Sequence, residues 1–82
     1  MFKIVPCLNP DGVARGYWRV DTNNKNLNRV YSDPDPKLYP TIFAVRHAIV
    51  YENLLGNLFA YIDLHGHATK RGCFVFGNSI AT

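Results

Sequence analysis

Eighty-two residues allow one domain at most, and a chain this short buries only about 60–65% of the surface it exposes when unfolded. Apolar residues make up 48% of the chain and charged residues 18%, which excludes a disordered segment and fits a packed one. A net charge of +3 without a Lys/Arg run gives a mild pull on anions. That is too weak for a nucleic-acid footprint, and the aromatic residues fall in predicted strand and helix positions rather than between cations.

Residues 2–8, FKIVPCL, read as a short buried strand, weakened by Pro6, which lacks a ladder donor. The turn former NPDG, residues 9–12, ends it. Residues 13–39 read as a long polar loop with an asparagine-rich middle, a short strand at 17–20 and a proline-punctuated end. Ordered loops of that length are usually functional. Pro40 then opens a helix, at a position where its missing donor costs nothing. The spacing carries that helix to about Leu58, roughly 28 Å. Its apolar residues, from Ile42 to Leu58, cover most of the circumference, so it is built for burial on more than one side. Residues 59–64 and 73–77 read as two further strands, with the helix as crossover to the first of them. The predicted class is therefore α/β: a right-handed βαβ unit with parallel strands, one long crossover helix and a long functional loop. A parallel sheet needs both faces covered, and one helix cannot cover them, so the chain reads as a piece of a larger α/β domain.

Cys7 and Cys73 fall inside predicted strands and read as buried, reduced thiols; two cysteines do not staple a secreted domain. The start MFKIVPCL carries one cation and an apolar run too short for a secretion signal, and nothing approaches the ~20 apolar residues of a membrane span. The expected compartment is the cytoplasm, with no membrane and no nucleic-acid partner.

Two constellations carry chemistry. His65 ends the second predicted strand, where open α/β sheets place ligands, and a neutral imidazole there suits zinc, with Asp63 or a carbonyl orienting its other nitrogen. The alternative is that His65 and His67 are polar residues of a sharp turn, since two imidazoles do not complete a catalytic zinc site. His47, mid-helix, reads as a core or groove residue. In the long loop, an Arg29 fork beside the Asn28 amide can hold a carboxylate, and Arg19 can polarise a carbonyl. The alternative is a solvated basic loop. In an extended chain, Asn28 and Arg29 point to opposite sides, so they share one anion only if the backbone turns there.

NPDGV at 9–13, the arginine at 19, NLNR at 26–29 and YIDLHGHATKRGCFVFGN at 61–78 stand in an order that resembles the cytosolic carboxypeptidases. These are zinc metallocarboxypeptidases that trim glutamates from tubulin and other proteins, and the likeness is greatest to the member-five subgroup. The resemblance implies a fragment of the zinc carboxypeptidase fold, an α/β sandwich around a mixed sheet. It implies Zn2+ as cofactor, glutamylated, tubulin-like protein tails as partners, and a cytosolic place with microtubule or nuclear association open. His65 resembles the family's third zinc ligand, and Arg19 the arginine that polarises the scissile carbonyl. Asn28 and Arg29 are similar to the pair that grips the substrate's terminal carboxylate. Apart from the resemblance, Lys70 and Arg71, shortly after His65, are expected to add positive potential that favours acidic chains; the alternative is a solvent-facing turn into the third strand.

The family's first two ligands belong to an H-x-x-E motif upstream of Phe2, and its general-base glutamate lies downstream of Thr82. Residues 1–82 therefore read as a partial metallocarboxypeptidase catalytic domain, with its N-terminal and C-terminal parts missing and inactive alone. The competing expectation is a truncated, non-catalytic product that binds acidic tails weakly.

Overall fold

A computed structural model describes residues 1–78. The first ordered element is α1, Pro10–Ala14, which is helical where a turn is predicted. The Asn9 side chain caps it, its Oδ1 accepting the Gly12 amide at 3.1 Å, with Pro10 in the first turn. Gly16, at φ +74°, closes α1: the Tyr17 amide donates back to the Gly12 carbonyl at 2.8 Å and the Gly16 amide to Val13 at 3.1 Å. This is the two-bond C-terminal lock that a left-handed residue permits.

A 3-10 turn follows at Leu27–Arg29, and then α2, Pro40–Leu54. Proline stands in the first turn of α2, as the sequence predicts. The helix stops four residues before the predicted Leu58, for a local reason. Gly56 takes φ +74°, its amide donates to Asn53 at 3.0 Å, and the Asn57 amide donates to Glu52 at 2.9 Å, the same lock that ends α1. Fifteen helical residues span about 22 Å.

The core is small and sits at the N-terminal half of α2. Ile42 is fully buried and Val45 is 8% exposed, and around them Gly12, Asp21 and Pro34 are buried. Polar ties lace this region. Thr41 Oγ1 donates to the Leu8 carbonyl at 2.6 Å, Asn9 Nδ2 to the Val20 carbonyl at 3.0 Å, and Asn23 Nδ2 to the Leu38 carbonyl at 3.1 Å. Lys3 pairs with Glu52 and fastens the N-terminal stretch to the far half of α2.

The predicted βαβ unit does not form. Among the described residues there is no strand; residues 2–8, 17–20, 59–64 and 73–77 carry no ladder. The composition of these runs suits strands, but a strand exists only through a partner backbone. None of the backbone–backbone bonds outside the helices reaches residues 58–78. Phe2, Phe59, Leu64 and Val75 stand almost wholly in solvent, and in the second half of α2 so does Leu54. Cys7 and Cys73 are free thiols, as expected, but exposed rather than buried, because the strands meant to bury them are not assembled.

Candidate functional site

Arg19 lies in a bend between α1 and a tight turn built on Asp21, and its side chain is exposed. The bend is held from both sides. Behind it, Asn9 fixes the Val20 carbonyl. Ahead of it, the buried Asp21 carboxylate accepts the Lys25 amide at 2.8 Å and the Asn23 amide at 3.0 Å, while Asn24 takes φ 58° to complete the turn. The loop that reads as polar and irregular is thus a set of side-chain-capped turns.

Asn28 and Arg29 occupy the 3-10 turn, capped by Asn26, whose side chain accepts the Asn28 amide at 3.0 Å. The turn that these two residues need to face one anion is therefore present. With three residues per turn, neighbouring side chains diverge by about 120° instead of the 180° of an extended chain. Both side chains are exposed.

His65 is exposed, and its Nδ1 lies 3.1 Å from Asp63 Oδ2. A carboxylate only accepts, so Nδ1 carries the hydrogen, and in the neutral ring Nε2 keeps its lone pair, the arrangement that orients a ligand imidazole. His67 has the opposite polarity. Its Nδ1 accepts the amides of Lys70 at 3.1 Å and Thr69 at 3.2 Å, so it caps the following turn and its proton sits on Nε2. His47 is exposed on α2, stacked 4.3 Å from the Phe43 ring, with Nδ1 3.1 Å from the Phe43 carbonyl. Neither of these two histidines behaves as a ligand beside His65. Among the described residues no three His, Cys, Asp or Glu side chains converge as a metal centre requires.

Lys70 lies over two aromatic faces, its Nζ 5.2 Å from the Phe74 centroid and 5.0 Å from that of Phe76. The Phe74 ring also meets His67 edge to face at 5.5 Å. Arg71 is exposed beside this cluster.

No hydrogen bond joins the side chains of Arg19, Asn28, Arg29 and His65 to one another among the described residues. What ties the segment of Asn28 and Arg29 to that of His65 is a pair that sequence reasoning missed. The hydroxyls of Tyr31 and Tyr61 are 2.9 Å apart and their rings meet edge to face at 6.4 Å. Burial, then the Tyr61 hydroxyl, then the Asp63 charge push the Tyr31 phenol well above its ordinary range. Two tyrosines 30 positions apart, each beside a site motif, were the available signal. A hollow lined by Leu8, Asp11, Asp21, Leu27, Leu38 and Tyr39 holds none of the predicted site residues, and its two carboxylates repel the anions they were expected to bind.

Comparison with known proteins defines the class first: the relatives are carboxypeptidases. Cytosolic carboxypeptidase 1 of Mus musculus is 42% identical over 81 residues, 98% of this chain and 7% of its own length. Cytosolic carboxypeptidase 6 of Homo sapiens is 42% identical over 80 residues, 95% of this chain and 16% of its own. That of Caenorhabditis elegans is 39% identical over 79 residues, 94% of this chain and 17% of its own. Over nearly its whole length the chain is similar to the cytosolic carboxypeptidases, and it spans between 7% and 17% of the length of these relatives. The narrower likeness to member five finds no support in them, since they are numbers one and six. No family profile matches the chain, and no solved structure does. No helix among the described residues is long and apolar enough to cross a membrane.

Proposed function

We propose that this chain is a portion of a cytosolic metallocarboxypeptidase catalytic domain and contributes the grip on the substrate's free terminal carboxylate. The substrate is a C-terminal or branch glutamate on a protein tail such as that of tubulin. The observation that carries the reading is the 3-10 turn at Leu27–Arg29, which exposes the Asn28 amide and the Arg29 fork together within a motif that aligns with carboxypeptidases. An arginine fork accepts a carboxylate through two parallel bonds, and the adjacent amide adds a third donor. Arg19, on its pinned bend, supplies donors toward developing negative charge. Arg71, with Lys70 held over Phe74 and Phe76, favours acidic chains by potential rather than by contact.

Zinc is the metal this reading requires, and it would activate water for attack on the last amide. His65 fits it as one ligand, with Nδ1 oriented by Asp63 and Nε2 available. The described residues supply no second or third ligand, so they do not hold a catalytic zinc, and no step of hydrolysis is assigned to them.

The test is an NMR titration of the 82-residue chain with triglutamate and with its C-terminal amide. The free acid should move the Asn28 and Arg29 side-chain signals with a Kd near 1 mM, about 4 kcal/mol of binding. The amide should bind several-fold more weakly, and Arg29→Ala should abolish the difference. Equal binding of acid and amide removes the grip. Glutamate release by the same chain supplied with zinc would remove the division of labour drawn here.

A further inference from the structure

The carboxylate grip and the His65 segment are separated by more than thirty residues of sequence and by the whole of α2. A carboxypeptidase must nevertheless keep them a fixed distance apart. The terminal carboxylate and the amide to be cut belong to one residue, and successive Cα atoms are about 3.8 Å apart. We propose that the Tyr31–Tyr61 hydroxyl pair is the tie that sets this spacing, holding the Asn28–Arg29 turn against the segment that bears Asp63 and His65. The spacing role rests on the grip proposed above.

Tyr31 stands two residues after Arg29, immediately beyond the 3-10 turn, and Tyr61 stands two residues before Asp63. The hydroxyls meet at 2.9 Å and the rings cross at 64°, so both the distance and the orientation of the two segments are constrained. Asp63 lies near enough to act on the Tyr31 phenol while its Oδ2 holds His65 Nδ1 at 3.1 Å. The hydroxyl pair therefore joins a residue two positions from Arg29 to a residue two positions from Asp63, which itself holds His65. The tie is made of side chains because no backbone ladder joins these segments. The role of the two tyrosines is positioning.

A nitroxide on Ala60→Cys, in a chain with Cys7→Ser and Cys73→Ser, reports the spacing. In the parent it should broaden the amide signals of Asn28, Arg29 and Val30. Tyr31→Phe and Tyr61→Phe keep the rings and remove the hydroxyl bond. Each should lower the population of the closed arrangement by about two- to tenfold and reduce the broadening accordingly. The double variant should go no further than either single one. The α2 amide shifts should stay unchanged throughout, which separates a lost tie from a lost fold. No broadening in the parent, undiminished broadening in the single variants, or additive losses would each overturn the tie. Triglutamate binding, measured on the same samples, judges the grip separately: a parent that broadens but does not bind retains the tie and loses the grip.

Discussion

Replacing Gly12 with alanine should destabilise α1, although alanine is the better helix former. A Cβ on Gly12 would stand 2.2 Å from Asn9 Nδ2 and 2.6 Å from its Cγ and Oδ1, inside any permitted contact. The Asn9 side chain must therefore leave, and with it go the cap on the Gly12 amide and the bond to the Val20 carbonyl. The lost cap costs about 1 kcal/mol and the lost hydrogen bond about 0.5–1.5 kcal/mol. Against this, alanine in place of a helical glycine contributes about 0.5–1 kcal/mol. The balance is a loss of about 1 kcal/mol, several-fold in the local opening equilibrium. Native-state amide exchange reads it directly at Val13 and Tyr17, whose amides bond the Asn9 and Gly12 carbonyls at 3.0 and 2.8 Å. In an Asn9→Ala background the obstructing side chain is gone, so the same substitution should become stabilising. Slower exchange in the single Gly12→Ala variant, or the same sign in both backgrounds, would refute the argument. The same variant should also raise the exchange rate around Arg19, whose neighbouring carbonyl has lost its anchor.

Ile42→Ala removes the one fully buried apolar side chain among the described residues and should cost about 2–5 kcal/mol, enough to erase amide protection in the first half of α2. Intact protection there would place the core elsewhere. Tyr31 has a phenol raised above its ordinary value of 10, so its contribution is fully present below that pH and is lost as pH rises beyond it toward the folded value. An absorbance titration should show one of the five tyrosines ionising later than the rest, and Tyr61→Phe should bring it back toward them. Glu52 runs the other way. The Lys3 hydrogen bond holds its carboxyl below the ordinary 4.5, so the N-terminal tie is present above that pH and is lost as pH falls through the lower folded value. Side-chain NMR of Glu52 with and without Lys3→Ala should show that shift disappear.

What the sequence disclosed and what it hid divide along physical lines. The start of α2 was legible because Pro40 acts within its own turn. The end was not, because Leu55 and Leu58 argue for continuation, while one glycine at φ +74° ends the helix through bonds that periodicity does not encode. NPDG reads as a turn, and the same four residues form a cap and a first helical turn, since Asn9 and Pro10 serve either purpose. The strands were illegible in a deeper sense. Their residues state a preference for a pleated, half-buried surface, and that preference is realised only when another backbone supplies the surface. At the candidate site, the need for a turn at 28 and 29 was readable, and a 3-10 turn stands there. The tyrosine tie, the role of His67 and the placement of Lys70 over two rings were not readable, because each depends on contacts that the spacing of letters does not specify.

The chain exposes 7604 Å2, where a folded monomer of its mass exposes about 5,000 Å2. Its radius of gyration of 14.3 Å exceeds the roughly 12 Å of a compact domain of this length. Among the described residues the apolar core is Ile42 and Val45, too small to hold the loop residues in place. Their order comes from short-range bonds: Asn9 on Gly12, Asp21 on Asn23 and Lys25, Asn26 on Asn28, and Asp35 on Lys37 and Leu38 at 2.7 and 2.9 Å. Each is an Asn or Asp side chain accepting an amide a few residues on, a geometry that closes without help from distant parts of the chain. The asparagine-rich stretch is therefore the scaffold of the site and not its solvent-facing filler. Arg19, Asn28 and Arg29 are presented by turns that a large core would reinforce but is not needed to create. The His65 segment has no such local frame beyond Asp63 and the His67 cap. On the proposed function, its register to the Asn28–Arg29 turn therefore depends on Tyr31 and Tyr61, whose hydroxyl pair is the one hydrogen bond that joins the two segments among the described residues.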